Sequence, residues 1–242
     1  NSSGRISTLG RGGSDITATA LAAALDADRL ILFKKVDSVY TADPEKVPKA
    51  LRISRIAAED LRQLAWQGAG IVHPRASEIA GDAGIPISVR SQDTGDGVTE
   101  IEPFVLRSGR YITGVASGPD AAQFRVVSGG ALTPHRFHAK AFGLVADSGV
   151  SMDMFSVFDS TAMFTVPVED RVGVEEALRG AGIDHRTVFP CSKVSIVGAG
   201  MHGMEGVMAR FASDLSGAGI DMLQTVDSHA TISALVHLEH RD

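Results

Sequence analysis

The sequence predicts an α/β layer followed by two ferredoxin-like βαββαβ units, and three observations carry that prediction. Short apolar runs alternate with helical stretches from Ile6 to about Arg90, the pattern of helices packed on a sheet. The second half repeats itself: Val127 matches Val197, Gly130 matches Gly200, Ala139 matches Ala209, Gly149 matches Gly219 and Met152 matches Met222, always 70 residues apart. Finally, 44% hydrophobic and 21% charged residues in a 242-residue chain supply enough apolar surface for more than one core.

The elements follow in order. A strand from Ile6 to Leu9 enters the glycine loop, and a small, apolar helix runs from Ile16 to Leu25, as expected of a helix enclosed by neighbours. A strand at Leu30–Phe33, helices at Ala58–Trp66 and Ala76–Ala83 and a strand at Ile85–Val89 complete the layer. The polar stretch Ser91–Gly97 breaks the pattern, placing a boundary near Phe104 to Gly109. In each repeat a strand (Phe124–Ser128; Val194–Gly198) leads to a helix (about Pro134–Ala146; Gly203–Leu215) and two short strands around Asp159-Ser160 or Asp227-Ser228. The first copy adds a helix at Val172–Leu178 and a strand near Thr187–Phe189, which is the βαββαβ order. The second ends at Asp242 before another helix, so the strand Tyr111–Ala116 is expected to complete its sheet. The predicted division is 1–107, 108–190 and 191–242.

Charge and cysteine content exclude several function classes. With 23 Lys plus Arg against 29 Asp plus Glu, the formal charge of -6 offers no general attraction to nucleic acid or an anionic membrane. Cys191 is the single cysteine, which rules out an internal disulfide and fits a reducing compartment, the cytoplasm. No run approaches the roughly 20 apolar residues of a membrane helix. The chain starts at Asn1 without a methionine and runs at once into a strand and glycine loop, which points to a fragment or processed product.

Two segments stand out chemically. Gly10-Arg11-Gly12-Gly13-Ser14-Asp15 lies between a strand and a helix, where glycines admit a ligand close to the backbone and a helix start presents amides to an anion. A tight turn with Ser14 or Asp15 capping the helix is the plainer alternative. Lys34 to Pro44 gathers two lysines, two aspartates and Tyr40 after a strand end, where open α/β sheets bind ligands. A solvated turn is the alternative there. His135 and His138, three apart on a helix, lack a third ligand at a typical spacing and predict no metal site. Met152, Met154, Met201, Met204 and Met222 are expected to fill core gaps.

Together, Thr8 to Asp15, Val36 to Pro44 and Gly68-Ala69-Gly70-Ile71-Val72-His73-Pro74-Arg75, in this order and spacing, closely resemble the aspartate kinase family. The repeats, with Val194 to Met201 opening the second, resemble that family's tandem ACT domains. The resemblance implies the C-terminal portion of an amino-acid-kinase α/β sandwich followed by two ACT modules. It implies phosphoryl transfer from MgATP to the side-chain carboxylate of L-aspartate, giving 4-phospho-L-aspartate on the route to lysine, threonine and methionine. By the same resemblance Arg11, Gly12, Gly13, Ser14 and Asp15 contact aspartate, and Lys34, Lys35, Val36, Tyr40, Thr41 and Asp43 contact ATP with its Mg2+. Met201, His202, Glu205, Gly206 and Val207 fall on a loop suited to a lysine or threonine effector. The modules are expected to pair with those of another copy or of full-length kinase subunits.

The sequence departs from the family pattern at several points. Lys34-Lys35 replaces a Thr-Asp pair, and Ser38, Glu45 and Gly70 replace Gly, Arg and Lys. Val157 and Phe158 stand where amide side chains often hold the effector, and Thr133-Pro134-His135-Arg136 replaces the usual first-module loop. The family's Lys-Phe-Gly-Gly-Thr phosphate loop with its catalytic lysine has no counterpart, so no catalytic residue is assigned and this stretch alone is expected to be inactive. A non-catalytic amino-acid-sensing subunit is the alternative reading.

Overall fold

The computed structural model describes residues 10, 12–93, 97–103, 111–201 and 203–241. The chain divides into two compact units, one built from Asn1–Ala116, Ser195–Glu205 and Ser228–Thr231, the other from Ser117–Val194, Gly206–Asp227 and Ile232–Asp242. The expected strand at Ile6–Leu9 and the boundary at 104–109 lie outside the described residues.

The first unit holds helix α1 (Gly13–Ala24), strands β1 (Leu30–Lys34), β2 (Val39–Tyr40), β3 (Arg52–Ile53) and β4 (Arg55–Ala57), helices α2 (Ala58–Trp66) and α3 (Pro74–Ala83), and strands β5 (Ile87–Ser91) and β6 (Val98–Glu102). Its main sheet has the order β1-β5-β6-β4. β1 pairs with β5 and β4 with β6 in parallel, while β5 and β6 run antiparallel. The buried side chains of Leu32, Ile56, Leu61, Leu64, Val72, Ile87, Val89 and Ile101 form the core. Removing such apolar surface from water is the dominant stabilising term. α3 packs against both α1 and α2; it starts two residues earlier than expected because Pro74 opens it, with His73 Nδ1 accepting from the Arg75 N–H at 3.2 Å. β6 was not anticipated: Thr99 and Ile101 face inward, but Glu100 and Glu102 between and beyond them make so short an alternation look like loop.

The second unit is built on strands β7 (Gly114–Val127), β8 (Phe155–Phe158), β9 (Thr161–Pro167), β10 (Asp184–Val197), β11 (Gln224–Asp227) and β12 (Thr231–His237), with helices α4 (Pro134–Asp147), α5 (Arg171–Gly180) and α6 (Val207–Gly217). The sheet order is β11-β12-β10-β7-β9-β8. Elements β7-α4-β8-β9-α5-β10 keep the expected βαββαβ order, and β10-α6-β11-β12 repeats its first four. Two pairs of expected strands turn out to be single 14-residue strands, β7 and β10. Pro119, which has no N–H to donate, lies in β7 ahead of Ala121, where the ladder to β9 begins.

Helix α4 buries Phe137, Ala141 and Val145, one face at a spacing of four, against the stacked rings of Phe124 and Phe164, whose centroids are 5.3 Å apart. The repeat-related helix α6 buries no residue, its Val207, Phe211, Ala212 and Leu215 remaining half-exposed. The two copies interlock reciprocally. Gln123 Nε2 donates to the Leu223 carbonyl at 3.2 Å and to Gln224 Oε1 at 3.1 Å. Seventy residues on, Lys193 pairs with Asp153 at 2.5 Å, so equivalent strand positions reach equivalent positions in the opposite copy. Arg171 lies 3.9 Å over the Phe189 ring and holds Glu175. Burial would raise the Glu175 carboxyl, but hydrogen bonds from Arg171 and Thr187 outweigh it and keep the group below the usual range.

Met154, Cys191 and Leu235 form a small buried cluster with Val188 and Leu223, whereas Met204 and Met222 are exposed rather than core-filling. Burial pushes the Cys191 thiol up to about 11, against a hydrogen bond from the Gln123 backbone that lowers it. The unfolded thiol, at 9.0, releases its proton first. Stability linked to this group is therefore complete below pH 9 and is lost as pH rises through 11. At pH 8 a thiol reagent is expected to label Cys191 only in step with global unfolding across a urea series; full labelling of the native protein would contradict its burial.

Candidate functional site

The glycine loop starts α1 without a side-chain cap. Gly12 is the N-cap residue at φ 77, its carbonyl accepting from the Asp15 and Ile16 N–H groups at 3.1 and 3.3 Å. This excludes the plainer reading in which Ser14 or Asp15 caps the helix: Ser14 is exposed in the first turn and Asp15 is turned inward. A left-handed φ favours glycine, and a Cβ at position 12 would stand 2.5 Å from His73 Cδ2. Gly12→Ala is accordingly expected to lower stability by about 2 kcal/mol, seen as a lower denaturant midpoint at unchanged slope.

Asp15 is the centre of the arrangement. Only 6% exposed, it accepts from Lys34 Nζ at 2.5 Å on Oδ1 and from the His73 backbone N–H at 3.1 Å on Oδ2. The start of α1, the end of β1 and the turn into α3 thus meet at one carboxylate. They belong to the glycine loop, the Lys34 to Pro44 segment and the Gly68 to Arg75 segment. Arg11 lies outside the described residues, while Gly12 and Gly13 line the same turn.

Beyond Lys34 the loop splits into structural and outward-facing residues. Tyr40 donates its hydroxyl to Asp37 Oδ1 at 3.0 Å and accepts from Arg52 Nε at 3.0 Å, and Arg52 also pairs with Asp37. Thr41 exchanges backbone bonds with Leu51 and Val115, its hydroxyl accepting from the Leu51 N–H at 3.0 Å. Asp43 Oδ1 accepts from the Glu45 N–H at 3.0 Å and closes a local turn. Lys35 and Val36 are exposed. Tyr40, Thr41 and Asp43 therefore build the loop, leaving Lys35 and Val36 as its open face.

Gly203 and Gly206 have φ 74 and 83, which no α-helix accommodates, so α6 starts at Val207, four residues later than expected. Met201 is buried, Glu205 and Gly206 are exposed, Val207 is half-buried and His202 lies outside the described residues. His135 Nε2 lies 3.3 Å from Thr133 Oγ1, and the His138 ring lies between Phe137 and Phe142. Among the described residues no three acidic, His or Cys side chains gather to hold a metal, and no helix is long and apolar enough to cross a membrane.

A glycine turn, a strand-end loop and a helix start meet in an α/β unit, and a repeated sheet module follows in the chain. Residues 1–91 match the amino acid kinase family and residues 187–242 match an ACT domain. The Bacillus subtilis protein "Aspartokinase 1" is 38% identical over 240 residues, which cover 97% of this chain and 59% of that protein. The Geobacillus stearothermophilus aspartokinase is 34% identical over 242 residues, covering 96% and 58%. Among solved structures, E. coli aspartokinase III in complex with aspartate and ADP superposes with a TM-score of 0.78 at 26% identity, over 98% of this chain and 55% of that one. Clostridium acetobutylicum aspartate kinase, at 23% identity and a TM-score of 0.82, shares the fold. The chain is similar to aspartokinases over nearly its whole length and spans a little under three fifths of the length of the curated relatives it matches.

Sequence reasoning missed how the motifs connect. It assigned Lys34 to the nucleotide and gave His73 no role, and neither residue type nor spacing signals that Lys34 and the His73 amide converge on Asp15.

Proposed function

We propose that the protein carrying this chain is an aspartate kinase. A side-chain carboxylate oxygen of L-aspartate attacks the γ-phosphorus of ATP, the bond to the bridging oxygen breaks, and 4-phospho-L-aspartate and ADP are formed, the first step toward lysine, threonine and methionine. The observation that carries this reading is the meeting of the three motif segments at Asp15.

In this reading Arg11 pairs with a substrate carboxylate, Ser14 donates a hydrogen bond, Gly12 and Gly13 let the backbone approach, and Asp15 accepts from the substrate ammonium. The exposed Lys35 and Val36 face the nucleotide, held in place by Tyr40, Thr41 and Asp43. Phosphoryl transfer rests on positioning and charge neutralisation, which suits a site built of fixed loops. Asp15 and Asp37 are taken by Lys34 and Arg52, so these residues do not form a cage for Mg2+. The ion enters as the companion of the nucleotide phosphates.

The regulatory half is read as two ACT modules, 108–190 and 191–242, after a kinase portion at 1–107. β10 supports this reading, since it ends one copy and begins the next. An amino acid such as lysine or threonine would be sensed at Met201 to Val207, where the amides at the start of α6 suit a carboxylate. The half-exposed apolar side chains of α6 favour pairing with another copy. The single buried thiol fits a cytoplasmic location.

The test is ADP release by the full natural chain, with and without L-aspartate, beside Arg11→Ala. Aspartate-dependent turnover that collapses in the variant supports the kinase. No turnover, with lysine or threonine still bound, would replace it by the sensing subunit.

A further inference from the structure

We infer that Lys34 is a specificity-determining and positioning residue of the substrate subsite, tempering its demand for an ammonium group. The inference rests on the kinase reading, in which Asp15 receives the ammonium of L-aspartate. Lys34 ends β1 and extends its ammonium to Asp15 Oδ1 at 2.5 Å, with the lysine side chain 22% and the aspartate side chain 8% exposed. Oδ2 of the same carboxylate takes the His73 N–H at 3.1 Å. The acidic group that would select an amino acid over a plain dicarboxylate is thus already matched by a cation of the protein itself.

Two consequences follow from elementary electrostatics. Lys34 and the His73 amide together hold both oxygens of Asp15, which fixes the orientation of the carboxylate. A substrate ammonium placed on Asp15 also meets a like charge a few ångströms away, in surroundings that screen it less than bulk water does. The repulsion acts on L-aspartate and not on succinate, which has both carboxylates and no ammonium. Loss of orientation, in contrast, affects both ligands. The ratio of their affinities isolates the charge of Lys34 from its structural role.

The experiment is calorimetric titration of the full natural chain with L-aspartate and with succinate. Lys34→Gln is expected to raise the preference for L-aspartate about tenfold, and Lys34→Arg to keep the wild-type ratio. A ratio within twofold of wild type in Lys34→Gln, or an equal change in Lys34→Arg, overturns the inference while leaving the kinase reading intact. A wild-type protein that binds neither ligand overturns both. If Lys34→Gln does not fold, Asp15→Asn is compared with Asp15→Asn/Lys34→Gln: the second is expected to favour L-aspartate about tenfold more than the first, and equal ratios reject the inference.

Discussion

Asp15→Ala is expected to destabilise the protein by about 3 kcal/mol and, under the proposed kinase function, to lower kcat/KM for L-aspartate in the full natural chain about a hundredfold. Two effects contribute to the loss of stability. Lys34 loses its partner within a side chain that is largely covered, and the His73 N–H at the start of α3 loses its acceptor. Uncompensated burial of a charge and of an amide is the costly event, rather than the missing attraction. The figure lies at the low end for a broken ion pair because a lysine 22% exposed can turn toward water. Asp15→Asn separates the two effects, since its amide oxygen still accepts from His73 while the charge is gone, and it should recover about a third of the loss. Urea unfolding of the three proteins at constant slope measures this. An Asp15→Ala protein as stable as wild type would mean that the carboxylate does not hold the three motif segments together.

Gly198→Ala should cost about 3 kcal/mol as well. A Cβ there would stand 2.0 Å from the Tyr111 carbonyl oxygen and 2.9 Å from Ile112 Cα. These are backbone atoms and cannot rotate aside. Relief requires separating the two segments, which carry the Thr113 N–H to Val197 carbonyl bond at 2.7 Å and the Gly198 N–H to Ala230 carbonyl bond at 2.9 Å. Thr113 also donates its hydroxyl to Asp60 Oδ2 at 2.9 Å. The strain therefore spreads into α2. A melting temperature within a degree of wild type would show that the close approach is absent in solution. Gly200→Ala, two residues on, is the control for helix and turn propensity.

The elements most open to sequence reasoning were those whose pattern is local. α2 occupies Ala58–Trp66 as expected because its apolar spacing and acidic first turn are contained within nine residues. The strand pairs on either side of Asp159-Ser160 and Asp227-Ser228 are likewise written in short turns. The repeat pointed to β7-α4-β8-β9 and its echo, since equivalent residues recur at a constant interval. The two-residue strands β2 and β3 are too short to have a period, and the late start of α6 depends on glycine dihedrals rather than on hydrophobicity.

By itself the sequence determined the α/β class, the repeat along the second half and the three motifs of the first unit, because each is carried by neighbouring residues or by self-similarity along one dimension. Only the tertiary structure decided that β7 and β10 are continuous, with Pro119 preceding the ladder to β9 that begins at Ala121. It also decided the partners of Asp15. Lys34 lies 19 positions away and His73 lies 58, and both are brought to one carboxylate by the parallel pairing of β1 with β5 and the packing of α3 on α1. Contacts at such separations follow from burial of the whole layer, which no local pattern encodes.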